Sequence, residues 1–136
     1  MLSDMIGESS GSIIGIRVLP SDGGPPKLEL TFRGTGELFG IPVEDMGTYV
    51  QTMREDGSFY AEGELAFMTP EGDTATWKGF GIGKPTGRGH GARFAVCGAY
   101  HTATGKLAPL MGWPVVTEFE ADESEKYRWQ GWQWTF

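Results

Sequence analysis

Apolar and polar positions alternate with period two along several short stretches of the chain. Leu28, Leu30 and Phe32 fall on one side of an extended segment, while Lys27, Glu29, Thr31 and Arg33 fall on the other. The same alternation sets Ala92, Phe94, Val96, Gly98 and Tyr100 against Arg93, Ala95, Cys97, Ala99 and His101. Clusters of Gly, Pro, Asp, Ser and Thr at 21–26, 55–57, 70–73, 84–87, 102–105 and 121–124 interrupt the pattern with turn chemistry. The strands predicted between them run over about 11–19, 27–39, 41–54, 58–69, 73–84, 89–101, 114–121 and 126–135. The apolar connector at 106–112 resists a strand reading and suits a short helical turn that plugs an opening.

The connections are too short for the crossover helices that parallel strands require, so the sheet is expected to be an antiparallel meander. A meander of about eight strands removes its exposed edges by closing on itself, and its glycines supply the bends that a small barrel needs. The expected fold is therefore all-β: a closed, calycin-like antiparallel barrel with less than roughly a tenth of its residues in helix. At 136 residues the chain forms one domain, 1–136, with residues 1–10 as a flexible segment ahead of the first strand.

Composition narrows the partners. Lys and Arg total 11 against 18 Asp and Glu, a net charge of −7, which is the wrong sign for gripping phosphates; neither nucleic acid nor membrane is expected as a partner. No apolar run approaches the ~20 residues of a membrane span, and Met1 to Glu8 carries neither a basic leader nor an apolar core. Cys97 is the single cysteine, which excludes an internal disulfide and makes a reducing, cytoplasmic address the simplest expectation.

The stretches Thr31-Phe32-Arg33-Gly34-Thr35-Gly36, Asp45-Met46-Gly47-Thr48-Tyr49, Tyr60-Ala61-Glu62-Gly63, Trp77-Lys78-Gly79-Phe80-Gly81-Ile82-Gly83, Leu107-Ala108-Pro109-Leu110 and Phe119-Glu120-Ala121-Asp122 follow one another in an order and spacing that resembles a family of uncharacterised microbial proteins related to the allene oxide cyclase-like barrels. The likeness runs over nearly the whole chain from about residue 11 and rests on glycines and strand residues. It implies an eight-stranded barrel, often oligomeric, whose cyclase members hold a hydrophobic substrate inside and steer its ring closure. No catalytic residue is carried over from it.

Among residues with chemistry to offer, the glycine-rich run 79–91 has the wrong spacing for a phosphate loop, because Pro85 follows Lys84 and no helix follows. It reads as strand, turn, strand. His90 falls in that turn, and His101 ends a strand beside Tyr100, where it is a candidate acid or base at the barrel mouth. No metal site and no cofactor is expected. Cys97 has no basic neighbour and reads as a buried or interface thiol.

The stretch 58–69 is ambiguous. Tyr60, Glu62 and Glu64 form one face and Phe59, Ala61, Gly63, Leu65 and Phe67 the other, so the acids face solvent unless the small residues do. In the second case Glu62 would project into the barrel with Tyr60 beside it and become the leading candidate for proton transfer. The expected ligand wall comprises Phe32, Tyr49, Trp77, Phe94, Tyr100, Phe119 and Trp132. The last strand places Tyr127 and Trp129 on one face and Trp132, Trp134 and Phe136 on the other, barring a bulge at Gly131, so the outer aromatics call for a second copy, as a homodimer or homotrimer.

Three functions follow. The first is a barrel that binds a small hydrophobic molecule and cyclises or isomerises it, by holding a flexible chain folded away from water. The second is a non-catalytic, lipocalin-like carrier of an apolar ligand. The third is an oligomer with a solid interior. A cavity of ~300 Å³ or more would favour the first two.

Overall fold

The computed structural model describes residues 1–87, 89 and 91–136, so His90 lies outside the described residues. Eight strands follow in sequence: β1 (Leu2–Val18), β2 (Lys27–Leu38), β3 (Ile41–Met53), β4 (Phe59–Met68), β5 (Thr74–Pro85), β6 (Ala92–Ala103), β7 (Val115–Ala121) and β8 (Lys126–Trp134). Each pairs antiparallel with the next, and β8 pairs back onto β1, so the sheet closes as the period-two pattern implies. No helix among the described residues is long and apolar enough to cross a membrane.

The one departure in the strand pattern concerns the N-terminus. Residues 2–10 are strand, not a flexible segment. Gly7 pairs with Leu38 of β2 on one side and with Gly131 of β8 on the other. The barrel needs this stretch because it covers the edge of β8 that would otherwise be open. It escapes a period-two reading because the register against β8 shifts twice, between Leu2 and Met5 and between Met5 and Gly7.

The connector between β6 and β7 forms a short 3₁₀ helix, Gly105–Leu110, whose Leu107 and Leu110 are fully buried beside β5 and β6. Two bonds tie it down: Lys106 N–H donates to Asp73 Oδ2 at 3.2 Å, and Gln133 Nε2 donates to the Pro109 carbonyl at 3.0 Å. Its apolar pair stoppers one end of the barrel.

Inside, large rings and glycines face one another. A Cβ at Gly79 or Gly98 would run into the Trp77 indole, and one at Gly83 would run into the Phe94 ring. Bare backbone at these points lets broad rings lie flat on the wall of a narrow barrel. The rings then meet at the centre: Phe32 to Tyr127 at 4.6 Å, Phe32 to Phe119 at 5.3 Å, Tyr49 to Phe119 at 5.5 Å and Phe67 to Trp129 at 5.9 Å between centroids. Such tilted and edge-on pairs add about 0.5–1.5 kcal/mol each beyond the area they bury.

Candidate functional site

The interior holds two chemically distinct zones. The first is built around Asp45, whose residue is only 1% exposed. β3 alternates Val43, Asp45, Gly47 and Tyr49 inward against Glu44 and Met46 outward, which carries the carboxylate to the inside. Burying it would be prohibitive without donors. Tyr127 Oη donates to Oδ2 at 2.7 Å, Trp129 Nε1 donates to the same oxygen at 3.3 Å, and Ser9 Oγ meets Oδ1. Ser9 Oγ also lies 3.0 Å from the Thr35 carbonyl, so its one proton serves two acceptors. Tyr127 reaches Asp45 because position 34 is glycine; a Cβ there would strike the phenol oxygen. Burial first, and then the bond to Asp45, push the Tyr127 phenol well above its ordinary range.

The second zone is a cavity of about 60 Å³, walled by Phe32, Tyr49, Trp77, Phe94, Tyr100 and Phe119 and floored by Gly63 and Gly79. Its wall is almost wholly apolar, and no Lys, Arg or His borders it among the described residues. Tyr49 and Tyr100 are driven upward in pKa by burial, with the Asp45 charge adding to the effect on Tyr100, so both phenols remain neutral far above physiological pH. Trp77 is 7% exposed, and its Nε1 is the single buried side-chain nitrogen or oxygen without a partner among the described residues. Trp129 belongs to both zones: its ring borders the cavity while its N–H is given to Asp45.

Six of the seven wall residues read from the sequence therefore stand together. Trp132 does not. β8 pairs with β7 through Gly131 without a register shift, so period two sends Tyr127 and Trp129 inward and Trp132 out. Outside, Trp132 lies in a row of residues paired strand to strand, Phe80, Cys97, Val116, Trp132 and Met5. Cys97 is exposed there rather than buried. Trp134 and Phe136 are exposed as well, with Phe136 resting 5.3 Å from Trp113.

Of the three acid–base candidates, Tyr60 and His101 do not line the cavity; Glu62 borders it, on a strand that carries its side chain to the exposed face. Glu62 is exposed, as the first of the two readings of β4 has it, and accepts a hydrogen bond of 2.5 Å from Tyr60 Oη. The inward alternative is corrected by the pairing of Ala61 with Gly81 and Gly63 with Gly79, four small positions on the inner face, where Gly79 lies under the Trp77 indole. His101 is exposed near the end of β6, its neighbour Tyr100 taking the inward place. Asp45, Ser9, Tyr127 and Trp129 form the polar centre that the sequence reading missed. The available signal was an acid in phase with Val43 and Tyr49, on the side of β3 that enters the core.

No family model matches the chain, and no curated protein matches it. Solved structures do. A conserved protein of unknown function from Rhodopseudomonas palustris is similar at TM-score 0.79 and 16% identity, over 98% of this chain and 97% of that one. A protein of unknown function from Clostridium acetobutylicum is similar at TM-score 0.80 and 12% identity, over 97% and 98%. A beta-barrel like protein from Acinetobacter baumannii is similar at TM-score 0.78 and 13% identity, over 98% and 94%. At these identities the likeness establishes the fold, a barrel shared along its whole length.

Proposed function

We propose that the barrel is a carrier of a small apolar molecule, seated in the cavity between Trp77, Tyr100, Phe94 and Phe119, within a lineage related to the allene oxide cyclase-like barrels. The observation that carries this reading is an interior space walled by aromatic rings and bordered by no cation among the described residues. Transfer from water into such a site is favourable at roughly 25 cal/mol per Å² of apolar surface. The carrier reading is preferred to cyclisation or isomerisation because Tyr60 and His101 do not line the cavity, and Glu62, which borders it, carries its side chain on the exposed face of β4, bonded to Tyr60 Oη.

At about 60 Å³ the space falls short of the ~300 Å³ of a typical ligand pocket and equals the liquid volume of about two waters. A ligand of more than a few heavy atoms must therefore displace a ring. Phe119, only half-buried, is the wall residue with room to swing. Native mass spectrometry of protein purified gently from its own host should show a discrete small-molecule adduct. A bare chain in that spectrum, together with no xenon site in the barrel of pressurised crystals, would leave the solid-interior reading in its place.

A further inference from the structure

Resting on that carrier reading, we infer that the molecule held in the cavity is uncharged and carries a hydrogen-bond acceptor, an oxygen of the carbonyl or ether kind, which Trp77 Nε1 grips. Two independent observations converge on this. The first is the indole donor, more than nine-tenths buried, unpartnered among the described residues, and carried by a ring that borders the cavity. Burying an N–H without an acceptor costs about 1–3 kcal/mol, and an occupant that supplies an acceptor recovers it. A water could do so only with two to four polar partners, and this wall is almost wholly apolar.

The second observation is the charge arrangement, which selects against anions. No cation borders the cavity among the described residues, and directly behind Trp129 sits the Asp45 carboxylate, its three donors already committed to it. A carboxylate brought inside would meet a like charge in a low-dielectric interior with nothing to neutralise it. A cation gains little from Asp45, whose oxygens already take bonds from Ser9, Tyr127 and Trp129, and the almost wholly apolar wall offers nothing to replace its hydration. What remains is a neutral molecule with an apolar body and an oxygen.

Three probes of one shape and four heavy atoms isolate these features: isobutene is apolar, acetone adds a neutral acceptor, and acetate adds a charge. Each is titrated into the intact chain labelled with ¹⁵N at its indoles, and into Trp77→Phe. Saturable binding of isobutene tests the carrier reading alone; if neither isobutene nor acetone binds, that reading fails and takes this inference with it. Acetone should move the Trp77 indole proton downfield and isobutene should not. Relative to isobutene, acetone should bind Trp77→Phe roughly tenfold more weakly, the loss expected for one hydrogen bond. Acetate should give no saturable response. If isobutene binds while acetone leaves the indole proton unmoved, or if acetate competes with acetone, the carrier reading stands and the neutral-acceptor inference is overturned. Should Trp77→Phe fail to fold, the indole proton of the unmodified chain decides between these outcomes.

Discussion

The Asp45 centre and the Trp77 cavity lie inside the same ring of strands, share Trp129 as a wall, and differ in how their polar atoms are served. Around Asp45 a full charge is buried and its carboxylate is met by three side chains. Beside the cavity a single neutral N–H is buried and, among the described residues, left unserved. Native interiors rarely leave a donor orphaned, and where they do the exception asks for an explanation beyond folding. The comparison separates a polar group that holds the barrel in one register from a polar group that waits for a partner. It also assigns the two zones different sensitivities: damage to the first should be read in stability, damage to the second in occupancy.

The largest expected effect falls on the first zone. Asp45→Ala strips Tyr127, Trp129 and Ser9 of their common acceptor and leaves buried donors stranded, at a cost of at least about 3 kcal/mol in urea unfolding. Asp45→Asn should cost no more than about 1 kcal/mol, because its oxygen can face Tyr127 and Trp129 while its amide turns to Ser9 Oγ, which can donate onward to Thr35. If the alanine variant unfolds like the unmodified chain, the polar centre is incidental and the contrast between the zones collapses.

Alkali sharpens the contrast by acting on the phenols of both zones. An unfolded tyrosine ionises near pH 10, whereas burial holds Tyr49 and Tyr100 protonated well beyond that. Above about pH 10 the unfolded chain therefore binds fewer protons than the folded one, and stability must fall as pH rises. The slope is up to about 1.4 kcal/mol per pH unit for each of these two phenols. Tyr127, raised by burial and by Asp45, acts in the same direction. Denaturant unfolding between pH 9 and 11.5 measures the slope, and Tyr100→Phe should flatten it by one phenol. A slope unchanged by that substitution would mean that the cavity phenol is not held neutral by burial.

What the sequence made legible follows from which physical rule governs each residue. Period two alone places Leu30, Phe32, Phe94 and Tyr100 inside, because their strands contrast apolar with polar faces and the one register shift of β6 against β5 falls beyond Tyr100, at His101. The first ten residues evade the same rule because the β1 register shifts against β8 at Met5. β4 gave two consistent answers, since both its acids and its small residues could face out; what decides between them is the pairing of Ala61 and Gly63 with Gly81 and Gly79 on the inner face, a property of the closed sheet and not of the strand. Asp45 was overlooked because a lone acid in a strand is ordinarily on the wet side, and three of its partners come from β1 and β8, far away in sequence. The orphaned Trp77 N–H is invisible to any pattern along the chain.

The smallest expected effect is at Glu62, and it is the sharpest test of which side of the wall the chemistry occupies. Glu62 borders the cavity, but its side chain lies on the exposed face of β4, bonded to Tyr60 Oη at 2.5 Å. Glu62→Gln should leave the retained adduct and the folding stability unchanged, because the substitution removes a charge that water already solvates on the exposed face of β4 and keeps the size of the side chain. One reporter should still move. The Tyr60 phenol is raised chiefly by its hydrogen bond to Glu62, with some desolvation and the Glu62 charge adding to it, so the glutamine variant should bring it back toward the ordinary phenol value. Ultraviolet titration would show one phenol of the folded protein ionising at lower pH than before, with the buried ones unaffected. That outcome places the Tyr60–Glu62 pair on the surface and leaves the cavity to Trp77 and the neutral phenols. If Glu62→Gln instead abolishes the adduct, or a turnover found in the unmodified protein, then Glu62 reaches the ligand and the division between a catalytically silent exterior and a binding interior does not hold.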